Sequence, residues 1–221
     1  MEENITKLLV TEDGSHTLYQ PNIDESYHST HGAIQESKFI FIDKALNYSQ
    51  KSDVRVLEIG FGTGLNALLT YINSIENNRK IHYTTLELFP VNKELVSQLN
   101  FCSFKMSDYQ AVFEKMHNTE WELEHKISQT FTLRKINTDF STTNLEGNYD
   151  IVYFDAFSPE KQPEMWTLEQ FRKIYESCND EAILTTYCAK GYVRRNMISA
   201  GFRVERLPGP PGKREILRAI K

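Results

Sequence analysis

The stretch VRVLEIGFGTG, which runs from Val54 to Gly64, decides the fold. Its first six residues are mostly β-branched or aliphatic and predict a buried strand, and the apolar spacing from Leu65 to Ile75 predicts an amphipathic helix. Glycines between a strand and a helix permit a tight turn and let a ligand approach the backbone. The stretch therefore predicts the first strand–turn–helix unit of an α/β sheet, with a ligand at the turn.

The same alternation continues toward the C-terminus. The periodicity predicts strands at 81–88, 131–136, 149–154 and 182–187, and helices at 91–99, 107–125, 165–178 and 191–200. Two further strands, 202–207 and 215–220, are too close in sequence for the crossover of a parallel pair and must run antiparallel. The predicted fold class is α/β, a Rossmann-like, seven-stranded, mostly parallel sheet that ends in an antiparallel hairpin.

Residues 1–50 form a predicted N-terminal extension, and residues 51–221 form the main domain. The extension begins with a hairpin whose strands, 5–10 and 17–19, flank a turn at 12–15. A loop at 21–26 and a helix at 32–48 complete it.

Composition narrows the class of protein. The 221 residues suffice for one substantial core. No apolar run approaches the roughly 18 residues that a membrane span needs, and the acidic start Met1–Asn4 does not resemble a secretion signal.

Three distant cysteines indicate neither a disulfide framework nor a zinc site. His28 and His31 lack acidic or thiol partners nearby, so we expect hydrogen-bonding roles for them and no metal. A cytoplasmic protein without a membrane partner is the expectation.

Charge is distributed unevenly along the chain. The net charge is −5, yet residues 186–221 carry nine Lys or Arg residues against two Glu residues, a local charge of +7. A solvated surface explains such an excess, and so does a patch that binds phosphate groups. The sequence leaves both interpretations open at this point.

Acidic residues accompany the glycine turn at predicted strand ends. The spacing is GxGxG, whereas dinucleotide enzymes carry GxGxxG, and a carboxylate two residues before the first glycine suits a cationic ligand. The second strand ends in a carboxylate suited to a ribose diol, and the third is followed by one suited to an adenine amino group. This pattern predicts S-adenosylmethionine as the cofactor, bound by Glu58, Gly60, Gly62, Gly64, Glu87 and Asp139.

Asp155 follows the fourth strand of the main domain, at the sheet edge where open α/β sheets bind ligands. A carboxylate there can orient an amine by accepting its N–H bonds and help to remove a proton. Phe157, two residues later, is a candidate for stacking on a base. Asp155 as a simple helix cap is the alternative.

Several segments together resemble one family. They are the stretch from Glu58 to Asn66, the run Asp155-Ala-Phe-Ser-Pro159, Pro163–Trp166, Gly191–Arg195 and Lys213–Glu215, together with Tyr27–Ser29 and Gly32–Ser37. This combination resembles the methyltransferase half of the bacterial tRNA 5-methylaminomethyl-2-thiouridine biosynthesis family, a class I methyltransferase. The resemblance implies methyl transfer to the aminomethyl nitrogen of the wobble uridine in tRNA. It also implies that Glu36 reaches the cofactor, that Asp155 holds the amine, and that tRNA contacts Arg194, Arg195, Lys213 and Arg214.

Many members of that family carry a fused flavin-dependent oxidase that unmasks the amine. Nothing in this sequence resembles a second dinucleotide-binding motif, so we expect a separate enzyme to supply the substrate.

Three alternative functions fit the sequence less well. A polyamine aminopropyltransferase needs further acidic residues for its acceptor, and the glycine spacing disfavours a nicotinamide-dependent oxidoreductase. An inactive tRNA-binding module is a third alternative, against which Asp155 beside an intact glycine turn argues. We expect Trp166 and Phe171 to belong to the core.

Overall fold

A computed structural model describes residues 6–221. The predicted start of the hairpin at Ile5 and the acidic segment Met1–Asn4 lie outside the described residues. The helices are α1 Ala33–Ser37, α2 Leu65–Glu76, α3 Lys93–Val96, α4 Gln110–Asn118, α5 Leu168–Ser177 and α6 Gly191–Ala200. The strands are β1 Lys7–Val10, β2 His16–Gln20, β3 Glu25–Ser26, β4 Asp53–Ile59, β5 Lys80–Glu87, β6 Glu124–Lys126, β7 Phe131–Asn137, β8 Tyr149–Phe154, β9 Cys178–Thr186, β10 Arg203–Pro208 and β11 Glu215–Ile220.

The main sheet has eight strands in the order β10-β11-β9-β8-β4-β5-β7-β6. Strands β9, β8, β4, β5 and β7 run parallel to one another, and β10 and β11 form the antiparallel hairpin at one edge. The predicted α/β fold class and all seven predicted strands are confirmed. The switch in strand order beside β4 brings the ends of β4, β5 and β8 together, which is where such sheets bind ligands.

The prediction of one helix over 107–125 was wrong in its second half. Helix α4 ends at Asn118 because Thr119 has extended backbone angles. Glu122 then adopts a positive φ of 69° and reverses the chain. The residues that follow form β6, an eighth strand that pairs antiparallel with β7.

Three other predicted helices differ in extent. The predicted helix 32–48 is divided into α1, a π-helical segment Lys38–Asp43 and a 3₁₀ turn Leu46–Tyr48. The π-helical segment buries the three consecutive residues 40–42. Helix α3 is shorter than predicted. Helix α5 begins later than predicted because Thr167 caps it by accepting from the Gln170 backbone N–H.

The N-terminal strands form a three-stranded antiparallel sheet, β1-β2-β3. Residues 25 and 26, predicted as loop, form β3 and pair with β2. Leu18 and Phe41 are buried in the same hydrophobic cluster as Val56 of the main sheet. The second cluster, on the other side of the sheet, contains Trp166 and Phe171, both fully buried as predicted.

None of the helices in the described part of the chain is long and apolar enough to span a membrane.

Candidate active site

A cavity of about 430 Å³ opens at the carboxyl ends of β4, β5, β7 and β8. This volume falls in the range of small-molecule sites. Its walls come from the glycine turn, the ends of these four strands, the segment after β3 and the connection between β10 and β11. The predicted residues that line it are Glu36, Gly60, Gly62, Glu87, Asp139, Asp155, Phe157 and Lys213.

The glycine turn lies directly against the backbone of Asp155. Gly60 has a φ of +94°, and a Cβ built there would lie 2.8 Å from the Asp155 carbonyl oxygen. Gly62 has a φ of +50°, and a Cβ there would lie 3.0 Å from the Tyr27 ring. Both positions therefore require glycine on conformational and steric grounds. Gly64 begins α2 and faces His117, so it does not line the cavity.

Glu87 and Asp139 project from neighbouring strands on one side of the cavity. The Glu87 carboxylate accepts from the backbone N–H of Gly62 at 2.9 Å and of Phe89 at 2.8 Å. Asp139 accepts from the Ser141 backbone N–H at 2.7 Å. A carboxylate offers about four lone-pair sites, so each of these retains acceptor capacity toward a ligand.

Glu58 does not line the cavity, although the sequence predicted contact with the cofactor. Its side chain is fully buried behind the glycine turn, and burial raises the pKa of its carboxyl group well above the ordinary value. The carboxylate before GxGxG therefore faces the protein interior in this chain.

Asp155 forms the floor of the cavity. Its Oδ2 accepts from Asn66 Nδ2 at 2.8 Å, and Asn66 lies in the first turn of α2. The pKa of Asp155 is raised to about 7, chiefly by burial; the Asn66 hydrogen bond and the Lys213 charge lower it, and the Glu36 charge raises it. A carboxyl group with such a pKa exchanges a proton near neutral pH, as a general base must.

Glu36 and Lys213 form an ion pair beside Asp155. The Lys213 Nζ lies 3.1 Å from Glu36 Oε1 and 4.7 Å from the centre of the Tyr187 ring. The other Glu36 oxygen accepts from the Ser29 backbone N–H at 2.8 Å. The pair joins α1 to the β10–β11 connection, so both ends of the chain contribute to the cavity wall.

Two residues of the N-terminal extension that the sequence did not predict as part of the site also contribute to it. Glu25 accepts from the backbone N–H of Ser158, at 3.0 and 3.1 Å, and from its hydroxyl at 2.8 Å, which anchors the loop after Asp155. The rings of Tyr27 and Phe157 contact each other edge to face, with their centroids 5.1 Å apart. Residues 25 and 158 lie 133 positions apart, so no local sequence pattern indicates their contact.

The two histidines have the expected hydrogen-bonding roles. His28 bonds to the Thr63 hydroxyl in the glycine turn at 2.7 Å, and His31 pairs with Glu12 at 3.0 Å. Within residues 6–221, no group of three or more His, Cys, Asp or Glu side chains is arranged to hold a metal ion.

A shallow groove of about 380 Å³ lies beside the cavity mouth. Lys190, Lys213 and Arg214 line it, and Lys213 lines the cavity as well. Arg194 and Arg195 follow Lys190 in the first half of α6. Most cations of the C-terminal segment are already engaged, with Glu36, Glu160, Glu205, Glu215 or backbone carbonyls. Arg194, Arg195 and Arg214 have no acidic partner among the described residues.

Comparisons with known proteins show the family of this chain. A model of an S-adenosyl-L-methionine-dependent methyltransferase family matches residues 98–221. The tRNA 5-methylaminomethyl-2-thiouridine biosynthesis bifunctional protein MnmC of Campylobacter hominis is 32% identical over 208 residues, which cover 91% of this chain and 31% of that protein. The chain thus spans about a third of the length of the curated relatives that it matches.

The solved structures that share the fold include the following two. MnmC2 from Aquifex aeolicus is 26% identical with a TM-score of 0.81, covering 99% of this chain and 70% of that one. Spermidine synthase from Thermotoga maritima is 9% identical with a TM-score of 0.62, covering 97% of this chain and 68% of that one, and shows the fold alone.

Proposed function

The chain belongs to an S-adenosyl-L-methionine-dependent methyltransferase family, and from this premise we propose that it methylates the aminomethyl nitrogen of a modified wobble uridine in tRNA. The relatives named for 5-methylaminomethyl-2-thiouridine biosynthesis in tRNA support this substrate. The observation that carries the proposal is the position of Asp155, whose backbone carbonyl lies against Gly60 and whose carboxyl group faces the same cavity.

The residues of the cavity fit the cofactor. The glycine turn brings the backbone of Gly60 and Gly62 to the cavity wall, where a side chain would collide with Asp155 or Tyr27. Glu87 is suited to the ribose hydroxyl groups and Asp139 to the adenine amino group, since both retain acceptor capacity. When bound, the cofactor supplies an electrophilic methyl group on a positively charged sulfur.

Asp155 prepares the acceptor nitrogen. An aliphatic amine arrives largely as an ammonium ion, and Asp155, with a pKa of about 7, accepts one of its protons. The lone pair freed in this way is held in line for displacement while Asp155 binds the nitrogen. Asn66 fixes the carboxyl group, and the Lys213 charge favours its ionised form.

The cationic groove is suited to the tRNA backbone. Lys190, Lys213 and Arg214 lie beside the cavity mouth, and Arg194 and Arg195 on α6 add two cations without acidic partners among the described residues. Phosphate contacts of this kind orient a nucleic acid without reading its sequence. Phe157 at the cavity wall is suited to stacking on the flipped-out base.

The acceptor amine must be unmasked before methylation. We propose that an active site other than this cavity removes a substituent from this nitrogen and so supplies the aminomethyl uridine, because the residues that line this cavity are suited to binding and proton transfer.

The test uses labelled S-adenosylmethionine and tRNA from cells unable to methylate the aminomethyl uridine. We expect label on tRNA, and digestion followed by mass spectrometry to find it on the aminomethyl nitrogen. Fully methylated tRNA is the matched control and accepts no label. Transfer to polyamines with none to tRNA would contradict the proposed substrate and leave the cofactor assignment intact.

A further inference from the structure

The 155–158 loop, which follows β8, carries both Asp155 and Phe157 at the cavity wall. Side chains from outside the loop hold its backbone. The Phe157 N–H donates to Gln162 Oε1 at 3.1 Å, and Trp166 Nε1–H donates to the Phe157 carbonyl oxygen at 2.9 Å. The positions of Asp155 and Phe157 at the cavity therefore depend on the side chains that surround this loop.

Glu25 from β3 holds the last residue of the loop. One carboxylate oxygen of Glu25 accepts from the Ser158 backbone N–H at 3.0 Å and from the Ser158 hydroxyl at 2.8 Å, and the other lies 3.1 Å from the same N–H. Hydrogen bonds to an ionised acceptor are about twice as strong as those between neutral groups. Without Glu25, the Ser158 N–H would lose this partner in a half-buried loop, which costs stability.

The main sheet and the N-terminal sheet together fix the position of Glu25. Glu25 pairs with Gln20 on β2, and the backbone N–H of Asp24 donates to the Gln20 carbonyl oxygen at 2.8 Å to close the turn between the two strands. Leu18, two residues before Gln20, is fully buried in the same hydrophobic cluster as Val56 of the main sheet. The Glu25 carboxylate is thus presented by a strand that is anchored in the core.

Glu25 lines the cavity as well, so direct binding of a cationic substrate is the alternative role for its carboxylate. Both of its oxygens, however, already lie at hydrogen-bond distance from Ser158. The next residue but one, Tyr27, contacts the Phe157 ring of the same loop. Two side chains of one short segment therefore hold the loop, which favours positioning over direct binding.

We propose that Glu25 is a positioning residue, which holds the 155–158 loop through Ser158 so that Asp155 and Phe157 face the acceptor. This role makes the N-terminal extension part of the active site. Its purpose rests on the proposed amine methylation, but the hold of Glu25 on the loop can be tested without turnover.

The test without turnover uses the indole N–H signals in a ¹H–¹⁵N NMR spectrum. The chain has two tryptophans, Trp121 and Trp166, and a Trp121→Phe variant assigns the two signals. Because Trp166 Nε1–H donates to the Phe157 carbonyl oxygen, its signal reports the position of the loop. We expect Glu25→Ala to shift the Trp166 signal and to leave the Trp121 signal in place.

Two further variants narrow the cause of the shift. Ser158→Ala removes the hydroxyl donor and keeps the backbone N–H, so it should shift the Trp166 signal in the same direction and by less. This milder variant decides the matter if Glu25→Ala fails to fold. Asp24→Asn is the matched control, since it removes a neighbouring negative charge from an exposed ion pair with Lys161 and should shift neither signal.

An unmoved Trp166 signal in both Glu25→Ala and Ser158→Ala would overturn the inference. A shift of both indole signals in Ser158→Ala would overturn it too, because it would indicate a general disturbance of the fold.

Turnover separates positioning from direct substrate binding. Glu25→Ala should lower kcat/KM for tRNA about tenfold or more, as for a lost hydrogen bond to a charged group, with the cofactor Kd within about threefold. Glu25→Gln keeps one acceptor oxygen and should recover part of the loss. Adding Ser158→Ala to Glu25→Ala should cause no further loss, since the hydroxyl has already lost its partner.

Two outcomes of the turnover assay would contradict positioning. A tenfold loss of kcat/KM in Glu25→Ala with an unmoved Trp166 signal would show that Glu25 acts on the substrate directly. Independent, additive losses from Glu25→Ala and Ser158→Ala would show that Glu25 does not act through Ser158. An inactive wild type on every amine would defeat the proposed function, while the indole signals would still decide the inference.

Discussion

Replacing Asp155 with Asn removes the proton acceptor and keeps the shape of the site. The Asn oxygen still accepts from Asn66 Nδ2, so the fold and cofactor affinity persist. With a pKa of about 7, Asp155 is about 10% ionised at pH 6 and about 90% at pH 8. General base catalysis contributes about 10²- to 10⁴-fold, so we expect kcat to fall by this factor at pH 8.

The assay is single-turnover methyl transfer at saturating cofactor between pH 6 and pH 9. The rate of the wild type rises with pH around pH 7 as Asp155 ionises, and the rate of Asp155→Asn lacks this rise. The titration of the substrate amine changes the rates of both proteins equally. Asp180→Asn, exposed on β9 far from the carboxyl ends, is the matched control and keeps the wild-type profile. A kcat of Asp155→Asn within threefold of the wild type at pH 8 would refute the role of Asp155.

The Asp155→Asn variant should also be more stable than the wild type at alkaline pH. Because the folded-state pKa of Asp155 is raised from 3.8 to about 7, the folded protein binds more protons between these values, and its stability falls as pH rises through this window. Three pKa units correspond to about 4 kcal/mol at most. Asp155→Asn therefore raises Tm at pH 8 relative to the wild type, and an unchanged Tm would contradict the raised pKa.

Three further substitutions test the cavity wall and the groove. Glu87→Ala removes an acceptor for the glycine turn and for the cofactor, so calorimetry should find cofactor binding about 10- to 100-fold weaker, as for a lost hydrogen bond to a charged group. Lys213→Met removes the cation that lowers the pKa of Asp155. The midpoint of the rise in rate should therefore move to a pH higher by about half a unit or more. The double variant Arg194→Glu with Arg195→Glu should weaken tRNA binding about tenfold and reduce the slope of log K against log salt by about 2, measured by filter binding at several salt concentrations.

Matched variants control each of these. Glu87→Gln keeps one acceptor oxygen and should retain part of the affinity, and Lys213→Arg should keep the midpoint of the rise in rate in place. Lys126→Glu with Arg134→Glu reverses two exposed charges at the opposite edge of the sheet and should leave tRNA binding intact. An equal loss of tRNA affinity in Lys126→Glu with Arg134→Glu would indicate that the C-terminal cations form an ordinary solvated surface.

Local sequence patterns predicted the parts of the site that lie within one β–turn–α unit. Asp155 and Glu87 are found at the cavity because the end of a buried strand fixes where the next residues lie. The prediction that Glu58 lines the cavity was not met, because both faces of a parallel sheet are covered. Alternation along the strand therefore does not tell whether the Glu58 side chain lies at the cavity or in the interior.

Contacts between distant segments were not predictable from the sequence. Glu36 and Lys213 lie near opposite ends of the chain, and only tertiary packing brings them together. Strand β6 was missed because its three residues are too few to show alternation.

The most direct test of the central claim uses trideuteromethyl-labelled S-adenosylmethionine with substrate tRNA, comparing wild type with Asp155→Asn. Nuclease fragments analysed by mass spectrometry should show the trideuteromethyl group on the wobble nucleoside with the wild type, and at most about 1% of that rate with the variant. Transfer to another position, or equal transfer by both proteins, would contradict the account.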